Sequence, residues 1–247
     1  MEILGIIFDV NGTLIDINTD EGNEEIYRGI SHFLTYQGIT LHRWEVRDQY
    51  YQIMNEHKAA SREEFPEFDA VGLWAEFLRR HQNPLRPLPP AKAKTLPLIL
   101  AEMYRGISRN RLVLYPGVKD MLDELSAQHR LAAVSDAQSA WARAEMQALK
   151  LTDYFGSIVV SGDYGYRKPD PRLFRLALKK LRLPWDKTVF VGNDMYRDMY
   201  GAGRLGLATI FFSSNQGRKE MEGVNPDYII YEFGQLKEAL EFLRAHK

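Results

Sequence analysis

Reactive polar side chains stand directly after apolar runs at several points of this sequence, or in the loop that follows such a run. They are Asp9, Ser135, Asp136, Lys168, Asp194 and Asp198. The carboxyl ends of parallel strands meet at one edge of a sheet, and open α/β sheets bind their ligands outside that edge. If the apolar runs are parallel strands, we expect these side chains to share one cleft.

This set of side chains contains the parts of a phosphoryl-transfer site. Two carboxylates from separate strand ends can hold Mg²⁺, which prefers oxygen ligands and keeps waters that a phosphate can replace. A lysine and a hydroxyl can stabilise charge on the transferring oxygens. A free carboxylate can attack phosphorus and form an aspartyl-phosphate. Helix caps or solvated charges explain single members of the set, but not their recurrence after successive strands.

The loop after Asp9 has residues suited to holding that side chain. Gly12 permits a sharp backbone turn, and the Thr13 hydroxyl can bond to local backbone. We expect this loop to keep the Asp9 carboxylate in one orientation.

Hydrophobic patterning predicts the elements that position these residues. Residues 3–8 are almost unbroken apolar residues, which is typical of a short strand buried on both faces of a parallel sheet. From Leu112 onward, strand and helix patterns alternate to the end of the chain. Repeated βα units predict an α/β fold with a doubly wound, Rossmann-like parallel sheet. The further strands are predicted at residues 131–134, 157–161, 188–191, 208–212 and 228–230, and the helices between and after them at 116–129, 139–150, 171–181, 197–205 and 233–245.

Between the first strand and this alternating region, the pattern is helical for nearly a hundred residues. Helices are predicted at 23–37, at 42–60, after a cap at Asp69, and at 91–109 with an interruption near Pro97. We therefore predict a core domain formed by residues 1–15 and 111–247, with residues 16–110 as an all-helical cap domain over the edge to which Asp9 points. The bulky aromatic residues of this cap are expected to form its small core, with one or two of them free to face a substrate. They are Trp44, Tyr50, Tyr51 and Trp74.

The chain carries four short motifs, which are, in chain order, Asp9-x-Asn11-Gly12-Thr13-Leu14, Ser135, Tyr166-Arg167-Lys168-Pro169-Asp170-Pro171 and Val191-Gly192-Asn193-Asp194-x-x-x-Asp198. Together they resemble the motifs of the haloacid dehalogenase-like hydrolase superfamily. The helical insertion resembles the cap of that family, so the resemblance covers the whole chain.

The resemblance implies a role for each matching residue. Asp9 is implied as the nucleophile, Ser135 as the hydroxyl that bonds phosphate, and Lys168 as the charge-stabilising base. Asp194 is implied as a Mg²⁺ ligand supported by Asp198.

Three neighbouring residues complete the implied site. Asn11 would add its main-chain carbonyl to the metal ligands, while Thr13 and Asp136 are assigned to phosphate and substrate binding. Phosphatases of the family usually carry a second Asp at the position of Asn11, where it protonates the leaving group and activates water. Because an amide has no useful proton to exchange near neutral pH, we expect slow turnover.

Three functions remain open from the sequence. The first is a Mg²⁺-dependent hydrolase of a small phosphorylated metabolite, working through an aspartyl-phosphate. The second is a haloacid dehalogenase, which uses the Asp nucleophile without metal, and the third is a non-catalytic protein that binds a phospho-ligand. The acidic side chains of Asp194 and Asp198 favour the metal-dependent function, because a metal-free site gains nothing from negative charge around its own nucleophile.

The composition of the chain limits which binding partners and which cellular compartment we expect. The 247 residues carry a net charge of −1, which gives no global field to attract nucleic acid or an anionic membrane. The chain has no Cys, shows no signal-peptide pattern and lacks an apolar run of the ~20 residues that a membrane span needs. We expect a cytoplasmic protein, monomeric or homodimeric, with a small phosphorylated molecule as its partner.

Overall fold

The computed structural model describes residues 1–247. Its strands are β1 (Gly5–Phe8), β2 (Ile15–Thr19), β3 (Arg109–Leu114), β4 (Arg130–Ser135), β5 (Ser157–Val160), β6 (Thr188–Gly192), β7 (Ala208–Phe212) and β8 (Tyr228–Ile230). Its α-helices are α1 (Glu24–Tyr36), α2 (Arg43–Ala60), α3 (Ala70–His81), α4 (Pro90–Ser108), α5 (Val118–Ser126), α6 (Ser139–Ala148), α7 (Pro171–Leu181), α8 (Gly201–Gly203) and α9 (Leu236–His246). None of the helices combines the length and the hydrophobicity that crossing a bilayer requires.

Six strands form one parallel sheet in the order β5-β4-β1-β6-β7-β8. All residues of β1 are buried, because the strand lies at the centre of the sheet with helices on both faces. Ile6 and Phe8 point into the core formed with α5 and α9, whereas Ile7 points into the core formed with α7. This is the doubly wound α/β fold that the apolar runs predicted.

The helices α1 to α4 have an apolar core of their own, made of 17 buried residues. Trp74 and Tyr50 belong to that core, and Tyr51 packs against it. Trp44 does not, contrary to the prediction. It lies half-buried with the guanidinium groups of Arg43 and Arg47 over its ring.

The insertion is not entirely helical. Its two connections to the parallel sheet, β2 and β3, pair with each other as an antiparallel ribbon. The residues Ile15-Asp16-Ile17-Asn18-Thr19 alternate apolar and polar side chains, which is the pattern of a half-buried strand and not of a helix. The helical part therefore begins at Glu24 and ends at Ser108.

The turn after β6 also differs from the predicted helix at 197–205. A π-helical segment, Met195–Tyr200, starts directly after Asp194 and continues into α8. Since the Asp194 side chain accepts N–H groups of the first turn, the helix begins two residues earlier than the apolar pattern indicated.

Candidate functional site

The centre of the site is Asp9, one residue beyond the end of β1. Its side chain is buried, and its N–H donates to the Val191 carbonyl of β6, so the sheet pairing continues past the strand. Asp9 thus lies at the carboxyl edge of the sheet, between β4 and β6.

Each oxygen of the Asp9 carboxylate accepts a separate donor. The Thr13 hydroxyl donates to Oδ2 at 2.9 Å, and the Lys168 ammonium donates to Oδ1 at 2.5 Å. Gly12 has φ of +90°, and a Cβ at this position would lie 2.3 Å from Nδ2 of Asn193, so only glycine fits the turn. The loop holds Asp9 as expected, although Thr13 does so through the carboxylate and not through local backbone.

Lys168 is a buried cation between two carboxylates. Its Nζ lies 2.5 Å from Asp9 and 2.6 Å from Asp198. Burial alone would lower the pKa of Lys168, but the charges of Asp198 and Asp9 outweigh it and raise that pKa above its ordinary value. This direction favours the protonated form of Lys168, which places a positive charge beside Asp9.

Asp198 positions that cation. Its Oδ1 accepts from Lys168, and its Oδ2 accepts the N–H groups of Asn193 and Asp194. Asp198 thus contacts the lysine directly, in addition to bracing the turn that carries Asp194.

The carboxylate of Asp194 accepts donors from its own turn and from Arg218. Its Oδ1 accepts the N–H groups of Tyr196 and Arg197, and its Oδ2 accepts the Arg197 guanidinium at 3.0 and 3.1 Å and the N–H of Arg218. Burial alone would raise the pKa of Asp194, but these donors and the charge of Arg197 lower it. Asp194 is an ionised carboxylate whose charge Arg197 already balances.

Ser135 ends β4 with an unsatisfied hydroxyl. Its Oγ is buried and has no hydrogen-bond partner, which is rare for a polar atom in a folded interior. The next residue, Asp136, accepts the N–H of Lys168 through Oδ1, while its buried Oδ2 also lacks a hydrogen bond. The edge of the sheet beside Asp9 therefore offers a free hydroxyl to a ligand.

Replacing Ser135 with alanine tests this hydroxyl. Because it bonds to nothing in the protein, we expect the free energy of unfolding to change by less than about 1 kcal/mol. If the hydroxyl binds phosphate, as the motif resemblance implies, KM for phosphate esters should rise about tenfold. Ser157→Ala is the matched control, since Ser157 has the same kind of unpartnered buried hydroxyl at the opposite end of a neighbouring strand. Urea unfolding and steady-state kinetics of both variants give the comparison. A large loss of stability with unchanged KM in Ser135→Ala would contradict the assignment.

A cavity of about 300 Å³ lies between the helical insertion and this edge of the sheet, with Asn11 in its wall. Several of its residues were not singled out from the sequence, because they come from distant segments. They are Glu21, Met54, Glu67, Phe68, Tyr104, Arg105, Gln138 and Trp141. The sequence also did not predict that Asn193 contacts Thr13 or that Arg197 contacts Asp194, although both residues stand inside the motif that contains Asp194.

The predicted site residues divide into a contacting group and its neighbours. Hydrogen bonds join Asp9, Thr13, Lys168, Asp198, Asn193 and Asp194 into one network, to which Asp136 is linked through the N–H of Lys168. Ser135 and Asn11 lie beside that network in sequence. Ser135 directly precedes Asp136, and Asn11 stands between Asp9 and Thr13. No three acidic or histidine side chains come together as a ready-made metal site.

The chain is similar to known proteins of one hydrolase family. Residues 3–206 match the family model for haloacid dehalogenase-like hydrolase. Glyceraldehyde 3-phosphate phosphatase of Pyrococcus furiosus is 30% identical over 51% of this chain and 54% of its own length. Ribulose-1,5-bisphosphate 5-phosphatase of Halopiger xanaduensis is 30% identical over 48% of this chain and 50% of its own. The chain thus spans about half the length of these curated relatives.

The fold has solved counterparts as well. The 2-haloacid dehalogenase of Pseudomonas syringae pv. Tomato superposes with a TM-score of 0.72, covering 98% of this chain and 99% of its own, at 20% identity. That identity supports the shared fold alone. Since the family model extends over most of the chain, the chain belongs to the haloacid dehalogenase-like hydrolases.

Proposed function

We propose that this protein is a phosphatase of a small phosphorylated metabolite, with Asp9 as the nucleophile. The observation that carries the proposal is the arrangement around Asp9, where a buried Lys168 cation bonds to the carboxylate and the unpartnered Ser135 hydroxyl lies on the neighbouring strand. The phosphatases among the similar proteins support the same reaction class.

In the proposed reaction, an Asp9 oxygen forms a bond to phosphorus while the bond between phosphorus and the ester oxygen breaks. Lys168 neutralises charge on Asp9 and on the transferring oxygens, and Ser135 donates a hydrogen bond to one of them. The departing alcohol takes its proton from water, because Asn11 has none to give. Water then attacks phosphorus while the bond between Asp9 and phosphorus breaks, which releases phosphate and regenerates the carboxylate. The proton of the attacking water passes to the hydroxide left when the alcohol was protonated.

Charge balance supports a bound divalent cation. Two carboxyl groups, of Asp9 and Asp198, surround the one ammonium of Lys168, and a phosphate monoester adds further negative charge, so a cation would offset the repulsion. The donor set suits Mg²⁺, since Asp9 and Asp194 supply carboxylate oxygens, and the Asn11 carbonyl accepts no backbone N–H. When bound, Mg²⁺ would polarise the phosphoryl oxygens.

Arg197 competes with that cation for the carboxylate of Asp194. Its guanidinium holds Asp194, and the charges of Asp194, Asp9, Asp198 and Asp136 together raise the Arg197 pKa despite its burial. The side chain is 37% exposed, so it can rotate toward solvent and free Asp194.

Substituting Arg197 with glutamine should therefore tighten Mg²⁺ binding by about fivefold, because an ion pair worth about 1 kcal/mol no longer has to break. Arg175→Gln, an exposed substitution on α7, serves as the control and should leave Mg²⁺ affinity unchanged. Titration calorimetry of metal into both variants and the wild type measures the effect without relying on activity. Weaker Mg²⁺ binding by the Arg197→Gln protein would show that Arg197 supports the cation instead of competing with it.

One observation favours a metal-free dehalogenase as the second candidate, since Arg197 and Lys168 already balance much of the acidic charge. A panel of phosphate esters and a panel of 2-haloacids, each assayed with Mg²⁺ and with EDTA, separate the two. The phosphatase proposal predicts hydrolysis of esters that EDTA abolishes. Halide release in EDTA with no ester hydrolysis would overturn it, and ligand binding without turnover of either panel would favour a non-catalytic protein.

A further inference from the structure

The cavity beside the site has a size that limits what the leaving group can be. Its volume of about 300 Å³ lies at the lower end of the range of roughly 300–1,000 Å³ for small-molecule pockets. On the core side, its wall is formed by Asn11, Arg167 and residues of the segment 136–141. Asn11 is two residues from Asp9 in the chain and Asp136 directly follows Ser135, so this side of the cavity adjoins the site. An ester whose phosphate lies at Asp9 has room there for one ring on a short linker.

Aromatic side chains supply much of the cavity wall. They are Tyr50, Tyr51, Phe68, Tyr104 and Trp141. The rings of Tyr50 and Tyr104 stack at a centroid distance of 4.7 Å, and Tyr51 meets Tyr50 edge-on at 5.5 Å. Because these rings support one another before any ligand arrives, the wall presents fixed aromatic surfaces that suit a flat ring.

One of the two arginines in the wall, Arg105, is already paired with the carboxylate of Glu145, which also accepts Nη1 of Arg109 at 3.1 Å. Arg105 donates to both carboxylate oxygens of Glu145, through Nε at 2.7 Å and through a terminal nitrogen at 3.1 Å, and its guanidinium lies over the Trp141 ring. Glu145 is buried and Arg105 nearly so. This bidentate pair leaves Arg105 little capacity to bind an anion of a substrate.

Acidic side chains outnumber the remaining cation. Glu21, Glu67 and Asp136 lie in the wall, against the single guanidinium of Arg167, whose Nε is 3.7 Å from Asp136. Burial raises the pKa of Glu67, which lessens its share of that negative charge, although the charge of Arg167 opposes the rise. A carboxylate or second phosphate on the leaving group would meet this excess of negative charge.

Resting on the phosphatase function proposed above, we infer that the substrates are phosphate monoesters of alcohols that carry one flat aromatic ring and no second anionic group. The aromatic wall supplies affinity for the ring. The acidic groups around it exclude bisphosphates and phosphorylated carboxylic acids.

Binding of three phosphonates to the wild-type protein with Mg²⁺ tests the inference directly. Benzylphosphonate carries the ring, para-carboxybenzylphosphonate adds an anion to it, and propylphosphonate lacks the ring. None can be hydrolysed, so calorimetry reports binding independently of turnover. We expect benzylphosphonate to bind at least about tenfold more tightly than either of the others. Equal or tighter binding of the propyl or carboxybenzyl compound, or no measurable binding of benzylphosphonate, would overturn the inference.

A pair of variants locates the effect in the wall. Tyr51→Leu should reduce the preference for the benzyl over the propyl compound by at least about fivefold, whereas Tyr36→Leu, at a tyrosine that is 81% exposed on α1, should not change it. An unchanged preference in Tyr51→Leu would contradict the aromatic wall as its source. Turnover of benzyl phosphate, measured in parallel, separates the two proposals. Preferential binding without turnover contradicts the phosphatase function alone, and turnover without ring preference contradicts this inference alone.

Discussion

Replacing Asp9 with asparagine is expected to lower kcat for phosphate esters by roughly a thousandfold or more, since an amide cannot act as the nucleophile that the proposed reaction requires. The substitution keeps the shape of the side chain, and the amide oxygen can still accept from Thr13 or Lys168. Lys168 also retains Asp198 as a partner for its charge. The loss should therefore appear in catalysis and much less in folding.

The matched control for this change is Asp120→Asn, at an exposed carboxyl on α5. Steady-state kinetics and thermal unfolding of both variants, compared with the wild type, give the result. An Asp9→Asn protein that is folded and retains more than about a tenth of the wild-type kcat would contradict a nucleophilic role for Asp9.

The second large effect is expected from the opposite kind of change, one that adds a proton donor. Asn11→Asp should raise turnover of alkyl phosphates by at least about tenfold, because positioned acid or base catalysis contributes about 10²–10⁴-fold. Attack by Asp9 needs an alkoxide to leave, which is slow unless it is protonated. Asn11 lies in the cavity wall where that alkoxide would depart.

Comparing leaving groups makes this prediction specific. The aryloxide of an activated aryl phosphate can leave without being protonated. The first step with aryl phosphates should therefore gain less from Asn11→Asp than the first step with alkyl phosphates. Single-turnover and steady-state kinetics with one substrate of each kind separate the phosphorylating step from hydrolysis of the intermediate. If the variant is no faster on either substrate, Asn11 serves another reaction, and the dehalogenase or binding function gains support.

The parallel sheet was predictable because its strands have few alternative placements. A run such as 188–191 is apolar on both faces and sits between helical patterns, which only the interior of a covered parallel sheet accommodates. The same argument places Asp9, Ser135 and Asp194 at one edge, since each follows such a strand. These residues do lie at that edge in the structure.

The contacts among those residues were less predictable, because they depend on distances between segments far apart in sequence. Lys168 contacts Asp9 across 159 positions, and the sequence predicts that the two share a cleft but not that they bond directly. The antiparallel ribbon was missed for a different reason. The strand Ile15–Thr19 has only five residues, so its alternation of apolar and polar side chains is a weak signal beside the long helical stretch after it. The cavity could not be predicted at all, since four separate segments of the insertion and three of the core contribute to it.

The proposed intermediate offers the most direct test of the central claim, which is that Asp9 carries the phosphoryl group during turnover. Acid quenching of the wild-type protein during hydrolysis of a radiolabelled phosphate ester, followed by peptide mapping, reports whether the label is attached to the protein and where. We predict a labelled peptide that contains Asp9, and no labelled peptide from Asp9→Asn. Turnover with label on a different residue, or equal labelling of the Asp9→Asn protein, would contradict the account.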